Sequence, residues 1–410
     1  MEGRGERLSI APAAERPALS RSGLLSALRR LRDPLLFGVL PVLYAASVLT
    51  SAYDLVGIVG FDFRGTIWAP ARAALEGAAI YPEPTRASIE LGNPAVYPPF
   101  IVLLATPFAL LPAGAAALLW SVVLGATVAL ALWLVGVRDW RCYPVALASA
   151  PVLEGIFWGN LTLLMLLPLA VAWRWRERAA VAGLAIGAAV AAKLFVWPLV
   201  FWLLFTRRFR AAAWAAGAAL ALVLGAWAVI GFEGVGDYPA LLRELQETYA
   251  PRSLSLATIV SGFEASVTTA VAITFAAGAA LVLAAAWAAR RAGGDLRAFA
   301  LAVAACVVAA PIVWLHYLAV LFVPVAIRWP RLAVAWFFGY AVLLAERLPG
   351  LEYVVPEPCC RPEDVPKFVW DVNHGIAEPW QALGVVSVSC CVVAALVYRG
   401  GRLRLASLRR

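Results

Sequence analysis

Charge is scarce in this sequence. Of its 410 residues only 14% are charged, against 63% hydrophobic, whereas a water-soluble domain carries about 25% charged residues. An ordinary soluble fold is thereby excluded. Lysine is nearly absent: Lys193 and Lys367 are the only two, so arginine supplies almost all of the base. The formal charge is +9, yet the arginines sit in short clusters between long apolar runs, which excludes the continuous basic surface of a nucleic-acid binder. The six cysteines show no metal-ligand spacing. Cys142 and Cys306 stand alone, Cys390 and Cys391 read as small packing residues in an apolar run, and Cys359 and Cys360 fall in a polar loop where a disulfide is allowed but not required. What is left is an all-α polytopic integral membrane protein.

The basic clusters set its topology. Residues 1–34 form a polar, arginine-rich tail, and the apolar stretch from Leu35 to Tyr53 reads as an uncleaved first transmembrane helix, since no small-residue cleavage site follows it. Further clusters stand at 138–141, 174–178, 206–210, 290–297 and 328–331, and in a basic tail at 399–410. Together with 1–34 they hold 25 of the 34 basic residues and 7 of the 25 acidic ones. By the positive-inside rule these face the cytoplasm, both termini included. Loops at about 54–98, 233–264 and 347–378 then face outward. Between them lie apolar stretches at 35–53, 99–136, 143–157, 161–173, 178–192, 194–205, 211–231, 265–289, 298–315, 317–327, 332–346 and 379–398. That gives about twelve passes, several of them short or broken, since a spanning helix needs about 20 residues. A break is expected near Pro112 and Gly114. Broken helices surround polar cavities, because only there are loose backbone groups satisfied. No internal repeat is evident, which counts against an inverted-repeat transporter.

The informative residues are polar groups where membrane energetics should exclude them. Lys193 lies in the run AAVAAKLFVWPLVFW with no charge nearby, and a lysine at membrane depth costs about 2.5 kcal/mol or more. It is either functional or an anchor that snorkels to the headgroups. His316, in APIVWLHYLAVLF, is the one histidine in an apolar segment, and is read as a functional group or a satisfied packing residue. His374 falls in an outer loop and reads as solvated. Asp62 opens a helix just after the first apolar stretch, as a catalytic carboxylate, an N-cap or both. Phe63 to Ala78 reads as a helix lying along the membrane surface with Ile67, Ala71 and Leu75 on one face, or as an ordinary loop helix with Pro70 in it. Tyr97-Pro98-Pro99 ends the loop stiffly.

Taken in order, several of these residues resemble a known family. Phe61-Asp62-Phe63, Ala73 and Ala74, Gly77, Tyr81, Tyr97-Pro98-Pro99 and Pro107 are similar to the opening of the membrane mannosyltransferases of glycosyltransferase family 87. So are Trp158-Gly159-Asn160 heading a leucine-rich helix, Lys193 before a proline-containing helix and Arg207-Arg208, and Trp314-Leu315-His316-Tyr317. The resemblance spans about residues 35 to 330. Two positions depart from it: Gly159-Asn160-Leu161-Thr162 where members often read Gly-Gln-x-Asn, and Arg252-Ser253 where they often carry Asn-Gln-Ser.

The resemblance implies a GT-C-type fold with an outer-loop surface helix, residues 35–398 forming a single transmembrane catalytic domain. It implies a cell-envelope enzyme of the plasma membrane that moves mannose from a polyprenyl-phosphate donor to a glycolipid or glycan hydroxyl on the outer face, with inversion. Asp62 would be the base. Lys193 and His316, with Arg252 as a weaker third, would bind the donor phosphate as it gathers charge. Tyr97, Asn160, Trp314 and Arg64 would line the sugar and acceptor pocket. No cofactor and no metal is required, because Lys193 supplies the charge. The competing reading is a lipid-linked-sugar flippase or transporter, whose key charges would cluster apart near the midplane; close approach of Asp62 and Lys193 favours the enzyme. A noncatalytic membrane protein would leave Lys193 and His316 unexplained.

Overall fold

A computed structural model describes residues 31–51, 59–90, 93–346 and 379–398, which are helical with no strand among them. Most of both basic tails, the loop at 347–378, His374, Cys359 and Cys360 lie outside the described residues. Four described helices are long and apolar enough to cross a membrane: Ala113–Leu134, Phe209–Val229, Val267–Ala289 and Pro379–Val397. A fifth candidate span is bent, with Ala150–Trp158 meeting Leu161–Arg174 at 118°. Length therefore supports a polytopic membrane protein, with four or five spans long enough to cross among the described residues. The reason is local. Prolines, glycines and 3₁₀ turns cut the remaining apolar stretches into shorter helices, such as Ala179–Ala192, Leu194–Phe205, Leu315–Arg328 and Val334–Ala345. The stretch at 99–136 is cut at Ala105 and again at Pro112, which caps the helix Ala113–Leu134.

Small side chains let these helices approach closely. An added Cβ at Gly183 would stand 2.4 Å from the Ala211 carbonyl oxygen, and one at Gly187 would stand 2.6 Å from that of Ala215. Helix Ala179–Ala192 thus packs against Phe209–Val229 through glycines four residues apart, the arrangement that suits contacts in lipid, where the hydrophobic effect no longer draws helices together.

Two groups of polar contacts sit at opposite ends of the molecule. At one end the basic clusters gather. Asp295 accepts from Arg176 (2.9 Å), Arg208 (2.9 Å) and the Trp202 indole (2.9 Å), and Arg208 also pairs with Glu177 at 2.6 Å. Asp139 joins Arg141 to the main-chain N–H of Leu332, and the Arg141 hydrogen bond holds the Asp139 carboxyl down at about 2. At the other end the two described loops come together: the Tyr238 hydroxyl donates to the Val96 carbonyl at 3.0 Å, and Arg252 pairs with Glu90 at 3.1 Å. Helix Phe209–Val229 runs from one group to the other, and its 21 residues span about 30 Å.

The segment expected as a surface helix is helical from Phe61 to Leu75, through a π turn at Arg64–Trp68. Ile67 and Ala71 are buried against neighbouring helices, and Leu75 is exposed.

The same substitution at two glycines should give different results. Gly187→Ala forces backbone apart and should lower unfolding stability by about 1–3 kcal/mol. Gly217→Ala, with nothing within 4 Å of its added Cβ, should leave stability unchanged or raise it. Thermal unfolding of both proteins in detergent measures the contrast.

Candidate active site

Three helix breaks and one helix start converge on a single cavity of about 840 Å³. The first break is at Gly159-Asn160, where helix Ala150–Trp158 ends and a 3₁₀ turn, Leu161–Met165, begins. The second is Lys193, extended between helix Ala179–Ala192 and the 3₁₀ turn Leu194–Val196. The third is the 3₁₀ segment Leu315–Leu321, whose second residue is His316. The helix start carries Asp62. Tight 3₁₀ turns satisfy backbone groups poorly over long runs, so they gather where a helix must stop beside a polar space.

Two glycines bring Asp62 to Asn160. Gly60 and Gly159 both adopt left-handed backbone, with φ of 73° and 70°. An added Cβ on Gly159 would stand 2.9 Å from that of Phe63 and 3.1 Å from the Cα of Gly60, so the two turns lie directly against each other. The Gly60 N–H donates to the Phe157 carbonyl at 2.8 Å, and the Trp120 indole donates to the Gly159 carbonyl at 2.8 Å, fixing both turns.

The half-buried Asp62 carboxylate accepts from Asn160 at 2.6 Å and from Asn93 at 3.1 Å. Its main-chain carbonyl accepts from the Thr66 hydroxyl, so in this structure Asp62 is held by side-chain amides, with no side-chain cap on its own helix. On the far side, the Asn160 carbonyl oxygen accepts from Lys193 at 3.2 Å and from the Thr162 N–H and hydroxyl at 2.9 and 2.7 Å. Lys193 also donates to the Thr162 hydroxyl at 2.7 Å. One amide therefore joins the carboxylate to the ammonium. Lys193 is 4% exposed, and its ammonium lies over the rings of Tyr317 (4.1 Å), Tyr97 (5.3 Å) and Phe195 (5.5 Å). Cation–π attraction strengthens when water is excluded, as here. The snorkelling reading of Lys193 does not describe this geometry.

His316 is 2% exposed and lines the same cavity, as do Tyr97, Trp314 and Arg252. The Arg252 charge is offset by the fully buried Glu90, which Arg86 also contacts at 3.0 Å. Arg64 stands apart: it is not among the cavity-lining residues, and its guanidinium lies near Gly114. Burial pushes the phenols of Tyr238 and Tyr249 up, so both remain hydrogen-bond donors in the cavity wall. Four residues of the site escaped the sequence reading: Asn93, Thr162 as a Lys193 acceptor, Tyr317 and Glu154. Glu154 was detectable as an acid within an apolar stretch, by the same reasoning that singled out Lys193. Asn93, in a polar loop, carried no signal.

A helical membrane protein with a buried cation and a carboxylate at one cavity is the class these features define. Compared with known families, residues 95–324, more than half of the chain, match glycosyltransferase family 87, and the chain belongs to that family. It is thus a membrane glycosyltransferase, with a sugar donor and an acceptor. No curated protein and no solved structure matches it. Asp62 precedes the matched residues, but the fold carries it to Asn160 within them.

Replacing Asn160 by Asp removes the donor to Asp62 and sets a second carboxylate beside it, where like charges resist joint ionisation. Sugar transfer by Asn160→Asp should fall by about tenfold or more, since displacing groups that line a reacting site costs at least that much. Steady-state transfer by the purified variant measures it.

Proposed function

We propose that this glycosyltransferase moves mannose from a polyprenyl-phosphate donor to a hydroxyl of a glycolipid or glycan on the outer face of the plasma membrane, inverting the anomeric centre. One observation carries the reading: Asp62 and Lys193 hydrogen-bond to opposite ends of the same Asn160 amide at one cavity. Transfer from a lipid phosphate asks for two things a few ångströms apart. A base must take the proton of the attacking hydroxyl, and a cation must meet the charge gathering on the departing phosphate. Asp62 is the base and Lys193 the cation, with His316 beside it. A second carboxylate, as in glycoside hydrolysis, is not required to protonate the leaving group, because phosphate leaves readily.

The walls of the cavity suit two different substrates. Leu194, Phe195, Trp197, Phe275 and Ile312 give it apolar lining, which fits a prenyl chain entering from the bilayer. Asn93, Tyr238, Gln246 and Trp314 add hydrogen-bonding groups, which fit a sugar acceptor. Arg252, neutralised by Glu90, orders the loop over the cavity more than it binds phosphate. The outer-face assignment is supported by the gathering of arginines about 30 Å away, at the end opposite the loops 54–98 and 233–264. Residues 35–398 act as one catalytic domain. No cofactor enters the reaction as written.

Two variants test the roles separately, in nanodiscs with labelled polyprenyl-phosphate mannose and a panel of glycolipid acceptors. Asp62→Asn should lose about a thousandfold in turnover, within the range of general-base effects, while still binding polyprenyl phosphate; full activity would remove Asp62 as base. Lys193→Gln should weaken polyprenyl-phosphate affinity by about tenfold or more, the worth of one charge-assisted hydrogen bond. Unchanged affinity would return Lys193 to a structural role.

A further inference from the structure

The reaction as proposed leaves one acidic group of the cavity without a task. Glu154 lies on helix Ala150–Trp158, one turn before the Gly159-Asn160 break, and lines the cavity together with Asp62, Lys193 and His316. Its Oε2 is sealed from solvent and makes no hydrogen bond within the protein; the same is true of both ring nitrogens of His316. These three atoms face a shared problem, because a buried polar group without a partner costs about 1–3 kcal/mol. They are also neighbours. Oε2 of Glu154 stands 3.5 Å from Nδ1 of His316. Helix Ala150–Trp158 and the 3₁₀ segment Leu315–Leu321 pack directly on each other, so the pair is held by two elements and not by a loop. The other charged groups that act on the imidazole are Lys193 and Asp62.

We propose that Glu154 is the positioning residue of His316: its carboxylate accepts a hydrogen bond from the Nδ1–H, fixing the ring and leaving Nε2 as the nitrogen that meets the donor phosphate. A distance of 3.5 Å is longer than a formed hydrogen bond, and such contacts tighten when substrate fills a site. The logic is that of a carboxylate orienting an imidazole through one nitrogen so that the other works. The anionic partner also offsets the charge that His316 bears when both nitrogens are protonated opposite phosphate. This role for Glu154 rests on the proposed phosphate-facing role of His316, but the pairing itself can be tested without any turnover.

The chain holds two histidines, so His374→Gln leaves one ring to observe. Nitrogen-15 spectra of histidine-labelled protein in nanodiscs should show the His316 proton on Nδ1. In Glu154→Met that proton should move to Nε2 or divide between the nitrogens. Glu154→Gln, which keeps the shape and removes the charge, serves if Glu154→Met does not fold; it should still displace the Nδ1 signal. A proton on Nε2 throughout, or ring signals indifferent to residue 154, would overturn the pairing. With polyprenyl-phosphate mannose as donor, Glu154→Gln and His316→Gln should each lower kcat by about tenfold or more. Combined, they should lose less than about threefold beyond the worse single variant, as coupled residues do. Multiplying losses would overturn Glu154 as a positioning residue. A wild-type protein that transfers no sugar would instead count against the functional reading, and the ring spectrum would still decide the pairing.

Discussion

The buried ammonium of Lys193 is the constraint around which the rest of the cavity is arranged. Among the described residues no carboxylate reaches it; two neutral oxygens, from Asn160 and Thr162, and three aromatic faces do the work. Removing a cation from water is expensive at membrane depth, and this partial set of contacts offsets the cost without cancelling the charge. The ammonium therefore keeps a charge that suits an anionic ligand, and Asp62 lies one amide away without pairing with it. Three features must hold together for that arrangement to exist. Helix Ala179–Ala192 must stop at Lys193, the span at 150–174 must bend at Gly159, and Gly60 must let the Asp62 turn lie against that bend.

Much of this was legible in the sequence because membrane energetics makes polar residues conspicuous. Lys193 and His316 stood out against apolar neighbours, and the structure brings both to the same cavity. Asp62 was legible as a catalytic carboxylate or a cap from its place at a helix start, whereas Asn160 entered only through a family resemblance; in the structure Asn160 also caps the 3₁₀ turn that follows it. Glu154, an acid within an apolar stretch, is conspicuous by the same rule. Periodicity could not supply the helix breaks: an apolar stretch looks continuous in sequence whether its backbone runs as one helix or breaks into a 3₁₀ turn. Arg64 went astray for a related reason. It lies two residues from Asp62, and on a helix residues that close face different directions.

The distribution of charge gives the molecule two unlike ends. At one, arginines are tied into networks through Asp139 and Asp295, which join segments distant in sequence. At the other, the loop carrying Glu90 is pinned to Arg252, and Tyr238 and Tyr249 hydrogen-bond across to the same loop. Those pins hold the first described loop over the cavity, so its polar wall is built from chain segments that approach only in the folded protein.

The account is tested most directly by a structure of the protein in nanodiscs with polyprenyl phosphate bound. It predicts the phosphate in this cavity within hydrogen-bond distance of Lys193, about 3 Å, with the prenyl chain along Leu194, Phe195 and Trp197 and open space between the phosphate and Asp62. A lipid phosphate bound elsewhere, with Lys193 still closed against Asn160 and Thr162, would contradict it.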